Sequence, residues 1–351
     1  MPIDAYVAML ARDLEAQRAF IQGREISSIF FGGGTPSLFP AKAIGAILAT
    51  VWQLFGRPQR DIEITLETNP GTAEYSDFDA LRATGVNRLS FGAQSFDDQQ
   101  LRTLGRIHSS KEIVKAVTKA KQSGFTDFNI DLMHGLPKQT QADALSDLEQ
   151  ALALEPTHLS WYQLTIEPNT AFYSSPPQLP DDDQQYDIYR AGRALLAKAG
   201  FDQYEVSAYA KADHPSRHNL NYWQFGDYLA AGAGAHGKVT LLDENKIVRF
   251  QHTRQPKDYL ARDNVEPIKP NPIDTAELPL EFMMNALRLS KGVDTRIFSE
   301  RTGIETAPML PLINELRDKS WFVNDKNRLQ VTEAGHYYLN NVLEAFMPED
   351  N

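Results

Sequence analysis

Cysteine is absent from all 351 residues. That absence excludes disulfides, thiolate-held metal sites and a cysteine nucleophile within this chain. No stretch reaches the roughly 18 to 20 apolar residues of a membrane-spanning helix. The opening Met-Pro-Ile-Asp-Ala lacks the basic start and apolar core of a secretory signal. These two readings place the protein in the cytoplasm. Positive charge is also in short supply: 35 Lys and Arg face 46 Asp and Glu, a formal net charge of −11. A balance of that sign argues against broad attraction to nucleic acid or to an anionic membrane. Sustained repeats and low-complexity blocks are missing as well.

What is present reads as a folded α/β chain. With 42% apolar and 23% charged residues, the length suits one large domain and a smaller one. Over the first 250 residues or so, β-rich runs alternate with amphipathic stretches, the pattern of parallel strands joined by crossover helices. Strands are expected at Ile26–Phe31, Ile62–Glu67, Arg88–Phe91, Phe128–Leu132, Leu159–Leu164 and Gln203–Ser207. Helices are expected at Ala5–Ile21, Ala41–Leu54, Phe78–Ala83, Lys111–Gln122, Ala142–Leu154 and Asp183–Ala199. Polar or glycine residues gather at successive strand ends: Gly32 to Thr35, Glu67 to Pro70, Gln94, Asp131 and Gln163. In a parallel barrel those ends converge on one mouth, whereas an open doubly wound sheet would concentrate ligand contacts at a topological switch point, so the barrel is favoured over the open sheet.

A proline-rich, polar stretch at 263–272 reads as a linker. It divides a barrel domain, 1–262, from a tail domain, 273–351. In the tail, helices are expected at Leu280–Leu289, Arg296–Arg301 and Pro311–Asp318. A hairpin of Trp321–Val323 with Arg328–Val331 and a final helix Ala334–Phe346 follow. Helices followed by a small hairpin suggest a winged-helix-like shape, but the acidic composition weighs against DNA as its partner.

Each site candidate carries a plain structural alternative. Gly32 to Gly34 form either a tight strand-to-helix turn or a backbone cradle for a ligand. Glu67 is either a solvated rim carboxylate or an acceptor for an ammonium group. Arg106 suits a ligand carboxylate or an ion pair with Asp131. His218 is a structural imidazole or an axial ligand beside the aromatic rings of Tyr222 and Trp223. His134 and His236 compete for that second role.

The ordered set Phe31-Gly-Gly-Gly-Thr-Pro-Ser37, Glu67-Thr-Asn-Pro-Gly71, Arg88-Leu-Ser-Phe-Gly-Ala-Gln-Ser-Phe96, Leu104-Gly-Arg-Ile-His108, Asn129-Ile-Asp-Leu-Met-His-Gly-Leu-Pro137 and His218-Asn-Leu-Asn-Tyr-Trp223 resembles the oxygen-independent coproporphyrinogen III oxidase group of radical S-adenosylmethionine (SAM) proteins. The likeness spans nearly the whole chain and favours the heme-chaperone branch of that group. It implies a partial parallel (β/α) barrel of radical SAM type and a SAM site at Gly33, Gly34, Thr35, Glu67, Gln94, Arg106 and Asp131. It also implies heme binding at His218, Tyr222 and Trp223, with delivery of heme to an acceptor protein. The alternatives are a radical decarboxylase acting on coproporphyrinogen and a cluster-free binding protein for heme or another ligand.

One departure from the resemblance is decisive. The group opens with a strand and a Cys-x-x-x-Cys-x-x-Cys loop whose thiolates hold a 4Fe-4S cluster, and neither is found here. His, Asp and Met supply no equivalent soft ligand set. The expectation is therefore that the native protein is longer and carries the cluster, and that the chain as it stands does not cleave SAM. Without a preceding strand, the apolar edge at Ile26–Phe31 is expected to pair with a second copy.

Overall fold

Two-residue alternation builds the central sheet. On β3 (Arg88–Gln94), Leu89, Phe91 and Ala93 are fully buried, as are Ile130 and Leu132 on β4 (Phe128–His134) and Leu159 and Trp161 on β5 (His158–Gln163). Burying each large side chain of this kind contributes about 1.5–3 kcal/mol. The intervening residues, most of them polar or small, share the other face. Parallel register sets Ser90 beside Asn129 and Asn129 beside His158, then Gly92 beside Asp131 and Asp131 beside Ser160.

The computed structural model describes residues 2–72, 77–261 and 269–348. The chain divides into two compact units: Ser28–Gly45 with Ile62–Ser216, and Met1–Ser27 with Ala46–Asp61 and Arg217–Asn351. The first unit holds a seven-stranded sheet that also contains β1 (Ser28–Phe31), β2 (Glu63–Thr68), β6 (Asp202–Glu205) and β7 (Ala208–Ala210). Its order is β1-β2-β3-β4-β5-β7-β6. β1 through β5 run parallel in chain order, whereas β7 pairs antiparallel with β5 and β6. This is the expected partial barrel, with one difference at its far end. The single strand expected at Gln203–Ser207 is two, because Val206 and Ser207 turn the chain back on itself.

Helices between the strands begin at signals readable in the sequence. Ser109 with Glu112, Thr140 with Asp143 and Asp181 with Gln184 form reciprocal capping boxes, each satisfying amide hydrogens that a helix start leaves without partners. Asp77 likewise accepts from Ala80 N–H at 2.9 Å.

In the other unit, helix Ile3–Ala16 is followed by Gln17, whose amide donates to Ala230 O at 2.7 Å and accepts from Ala230 N–H at 3.0 Å. Buried Asp13 accepts from the Tyr259 hydroxyl. The hairpin of β8 (His236–Leu241) and β9 (Lys246–Gln251) was not expected from the sequence. Lys238 and Arg249 interrupt its apolar alternation, and Asp227 neutralises Lys238 at 3.1 Å. Most of the expected linker lies outside the described residues; its end, Asn271–Pro272, forms β10 against β9.

The tail helices run Leu278–Ala286, Thr295–Thr302 and Leu310–Asp318. The expected hairpin is present in minimal form: an antiparallel bridge joins Phe322 to Val331, with Val323 N–H donating to Gln330 O at 3.0 Å, and β12 (Arg328–Leu329) also pairs with β11 (Val293–Asp294), which was not expected. Val293 and Leu329 are both buried, so this pairing hides two apolar side chains as well as backbone. The final helix is split into Glu333–Tyr337 and Leu339–Glu344, and Tyr338 at the break stacks on Trp321 with ring centroids 5.3 Å apart. Among the described residues no helix is long and apolar enough to cross a membrane.

Candidate active site at the strand ends

The turn after β1 depends on glycine. A Cβ at Gly32 would collide with the Phe30 ring and lie 2.9 Å from Glu67 Oε1, and Gly33 has a φ of 103°, a region closed to most side chains. This geometry lets Gly33 N–H donate to Glu67 Oε2 at 3.0 Å. Burial raises the Glu67 pKa; the Gly33 bond opposes that rise and the charge of Asp131 adds to it.

Gln94 ends β3 with φ 72°, an unusual conformation for a side-chain-bearing residue and one that concentrates at functional sites. Its Oε1 accepts from the Tyr162 hydroxyl at 2.6 Å. Burial, reinforced by Asp131, pushes the Tyr162 pKa up to about 12. The Gln94 amide NH2 is therefore left to act as donor. Burial also raises the pKa of Asp131, against hydrogen bonds from Ser160, Asn129 and Ser90 that favour its charged form.

Gly33, Gly34, Thr35, Glu67, Gln94, Arg106 and Asp131 all line one cavity of about 290 Å³, together with Ser90, Gly92 and Tyr162 among others. All seven residues expected to share a site are thus brought together. Arg106 is exposed on the loop after helix Asp98–Thr103. It forms no ion pair with Asp131 within 4.0 Å among the described residues, which removes the structural alternative for that pair. The cavity therefore offers two carboxylates as acceptors, one guanidinium and the backbone of the glycine turn. That set complements a ligand carrying a cation, hydroxyl or amine donors and a carboxylate.

Sequence reading missed Tyr162 and the inner-face residues Ser90, Asn129, His158 and Ser160. Alternation on β4 and β5 carried the signal, but register was needed to see that these side chains adjoin.

The residues linked to heme lie elsewhere. His218, Tyr222 and Trp223 occupy helix Arg217–Trp223 in the other unit and do not line this cavity. His218 is buried, with its ring 6.4 Å from that of Tyr222, and the Tyr222 ring lies 4.7 Å edge-on from Tyr228. Trp223 carries the Arg288 guanidinium over its face at 4.3 Å. His134 is buried against Trp161 at 4.3 Å, and burial lowers its pKa to about 4, so its ring is neutral near pH 7. His236 is exposed at the start of β8.

Residues 4–151 match the Radical SAM superfamily, and residues 273–338 match the HemN C-terminal domain. The chain is 46% identical to the heme chaperone HemW of Haemophilus influenzae, covering 100% of this chain and 91% of that protein. For the Escherichia coli heme chaperone HemW the identity is 45%, over 99% of this chain and 91% of the relative. The chain belongs to the HemW family of radical SAM proteins. The HemW of Bacillus subtilis is 30% identical over 99% of the chain and 92% of its own length. Among solved structures, coproporphyrinogen III oxidase (HemN) from Escherichia coli superposes with a TM-score of 0.78 at 22% identity, over 98% of this chain and 83% of that one. That likeness establishes a shared fold.

Membership of the superfamily implies a 4Fe-4S cluster, and the residues of this chain do not fit one. Such clusters are held by cysteine thiolates, the chain contains none, and no group of three or more His, Asp or Glu residues is placed to hold a metal ion among the described residues.

Proposed function

We propose that the strand-end cavity binds SAM and that the protein is a heme chaperone, binding heme and passing it to an acceptor protein. The observation that carries the SAM assignment is the convergence of two carboxylates, a guanidinium and a glycine turn in one cavity. SAM bears an α-ammonium, an α-carboxylate and a ribose diol, and each has a complement here. Glu67, already tied to the turn through Gly33, accepts from the ammonium. Arg106 takes the carboxylate, Asp131 and Gln94 take hydroxyl or amine groups, and the backbone of Gly33 and Gly34 with the Thr35 hydroxyl lies along the ligand. When bound, SAM supplies an activated sulfonium.

The heme assignment rests on membership of the HemW family, with His218, Tyr222 and Trp223 as the residues proposed to take part. On this reading residues 1–262 carry the SAM pocket, 273–351 form the tail domain, and the protein acts in the cytoplasm.

Two titrations test it. Calorimetry with SAM should show binding that weakens about tenfold or more in Glu67→Gln, since hydrogen bonds to a charged group contribute about 1.5–3 kcal/mol. A heme titration followed by Soret absorbance should saturate, and His218→Ala should weaken it. Unchanged SAM affinity in Glu67→Gln, or an unchanged heme isotherm in His218→Ala, would remove the corresponding assignment.

A further inference from the structure

Behind Asp131 lies a chain of buried and half-buried polar side chains that the proposed binding chemistry does not itself require. The Tyr204 hydroxyl lies 2.8 Å from His158 Nε2, and His158 Nδ1 lies 2.7 Å from Asn129 Oδ1. Asn129 Nδ2 donates to Asp131 Oδ1 at 2.7 Å and to Ser90 Oγ at 2.7 Å; Ser90 Oγ donates in turn to Asp131 Oδ2 at 3.2 Å. The Ser160 hydroxyl, which also reaches Asp131, lies 3.2 Å from Asn129 Oδ1. His158 is 1% and Asn129 3% exposed, so bulk water cannot readily substitute for a lost partner.

The Asn129 amide turns its NH2 to Asp131 and its carbonyl to His158, the orientation that an accepting carboxylate oxygen requires. A carbonyl only accepts, so His158 must carry its proton on Nδ1. In the neutral ring Nε2 is then an acceptor, and the Tyr204 hydroxyl donates to it. Each donor points along the chain toward Asp131, an arrangement in which successive hydrogen bonds polarise one another. With Oδ1 and Oδ2 each held from behind, the carboxylate has a fixed orientation and keeps lone pairs for donors in the cavity.

We infer that His158 and Tyr204 are positioning residues for the ligand site, acting on Asp131 through Asn129. The inference rests on the SAM reading of the cavity, and its test separates the two. SAM affinity is measured by calorimetry for the wild type, His158→Phe, Tyr204→Phe, Asp131→Asn and the two double variants. Asp131→Asn should weaken binding about tenfold. His158→Phe should weaken it about fivefold and Tyr204→Phe about threefold, the scale of one hydrogen bond. In the Asp131→Asn background each should change affinity less than twofold, because the group they act through is gone. A purely structural role would give the same loss in both backgrounds, which would overturn the inference. An Asp131→Asn variant with unchanged affinity would overturn the SAM reading at this residue, and the inference with it. A second measurement needs no ligand. Long-range proton-nitrogen correlation on histidine-labelled protein, with His158 assigned by its loss in His158→Phe, should show the Nδ1–H tautomer. The Nε2–H tautomer would contradict the direction of the chain.

Discussion

Asp147 shows how one buried carboxylate sets a functional turn. From helix Gln141–Ala153 it accepts Phe96 N–H at 2.6 Å and Ser95 Oγ–H at 2.8 Å, fixing the backbone just beyond the left-handed Gln94. Burial lifts its pKa from 3.8 to about 6 despite those bonds. The folded state therefore holds this proton more tightly than the unfolded chain. Its contribution to stability is fully present below pH 3.8 and is lost as pH rises through about 6. The shift corresponds to about 3 kcal/mol at full effect. Asp147→Asn should remove that dependence, so denaturant unfolding of wild type and variant should diverge between about pH 4 and pH 6, the wild type losing stability relative to the variant as pH rises. Parallel curves would contradict the raised pKa. At this scale the sequence exposed much of the site, because Glu67, Gln94 and Asp131 stand at the ends of recognisable strands. It hid His158 and Tyr204, whose part depends on which strands adjoin.

At the scale of elements, the parallel strands and most helices were legible from alternation and capping residues. The sheet's far end was not, since β6 and β7 are three or four residues long and the bend between them carries no glycine or proline. The β11–β12 pairing was hidden for a different reason: its partners lie about 35 residues apart, with two helices between. β1 gives the element-scale prediction. It pairs with β2 on one side, no strand pairs its other side among the described residues, and Phe30 is 38% exposed. Such an edge is a template for a second strand. Sedimentation should show concentration-dependent self-association that Phe30→Lys abolishes, because a charge on an edge strand opposes pairing. Identical behaviour of the two proteins would place any association elsewhere.

For the whole molecule, the formal net charge of −11 bears on how heme arrives. Heme carries two propionates, so the long-range field of the protein repels the ligand proposed for it, and salt screens that repulsion. Stopped-flow association of heme should accelerate as ionic strength rises from low to physiological values. A decline would point instead to a local cationic patch that steers the ligand in. The composition made the sign of this effect legible without any structure, whereas the site of capture depends on side-chain arrangement that charge counting does not resolve.

The order of the sheet has a consequence for how the protein is made. From β1 to β5, spatial order equals chain order, so each strand leaving the ribosome finds its neighbour already synthesised and can dock at once. Only at the end does this rule lapse, where β6 must wait for β7 to come between it and β5. Vectorial synthesis thus keeps one growing edge open at a time, and the strand ends that supply Glu67, Gln94 and Asp131 are laid down in the order in which they come to line the cavity.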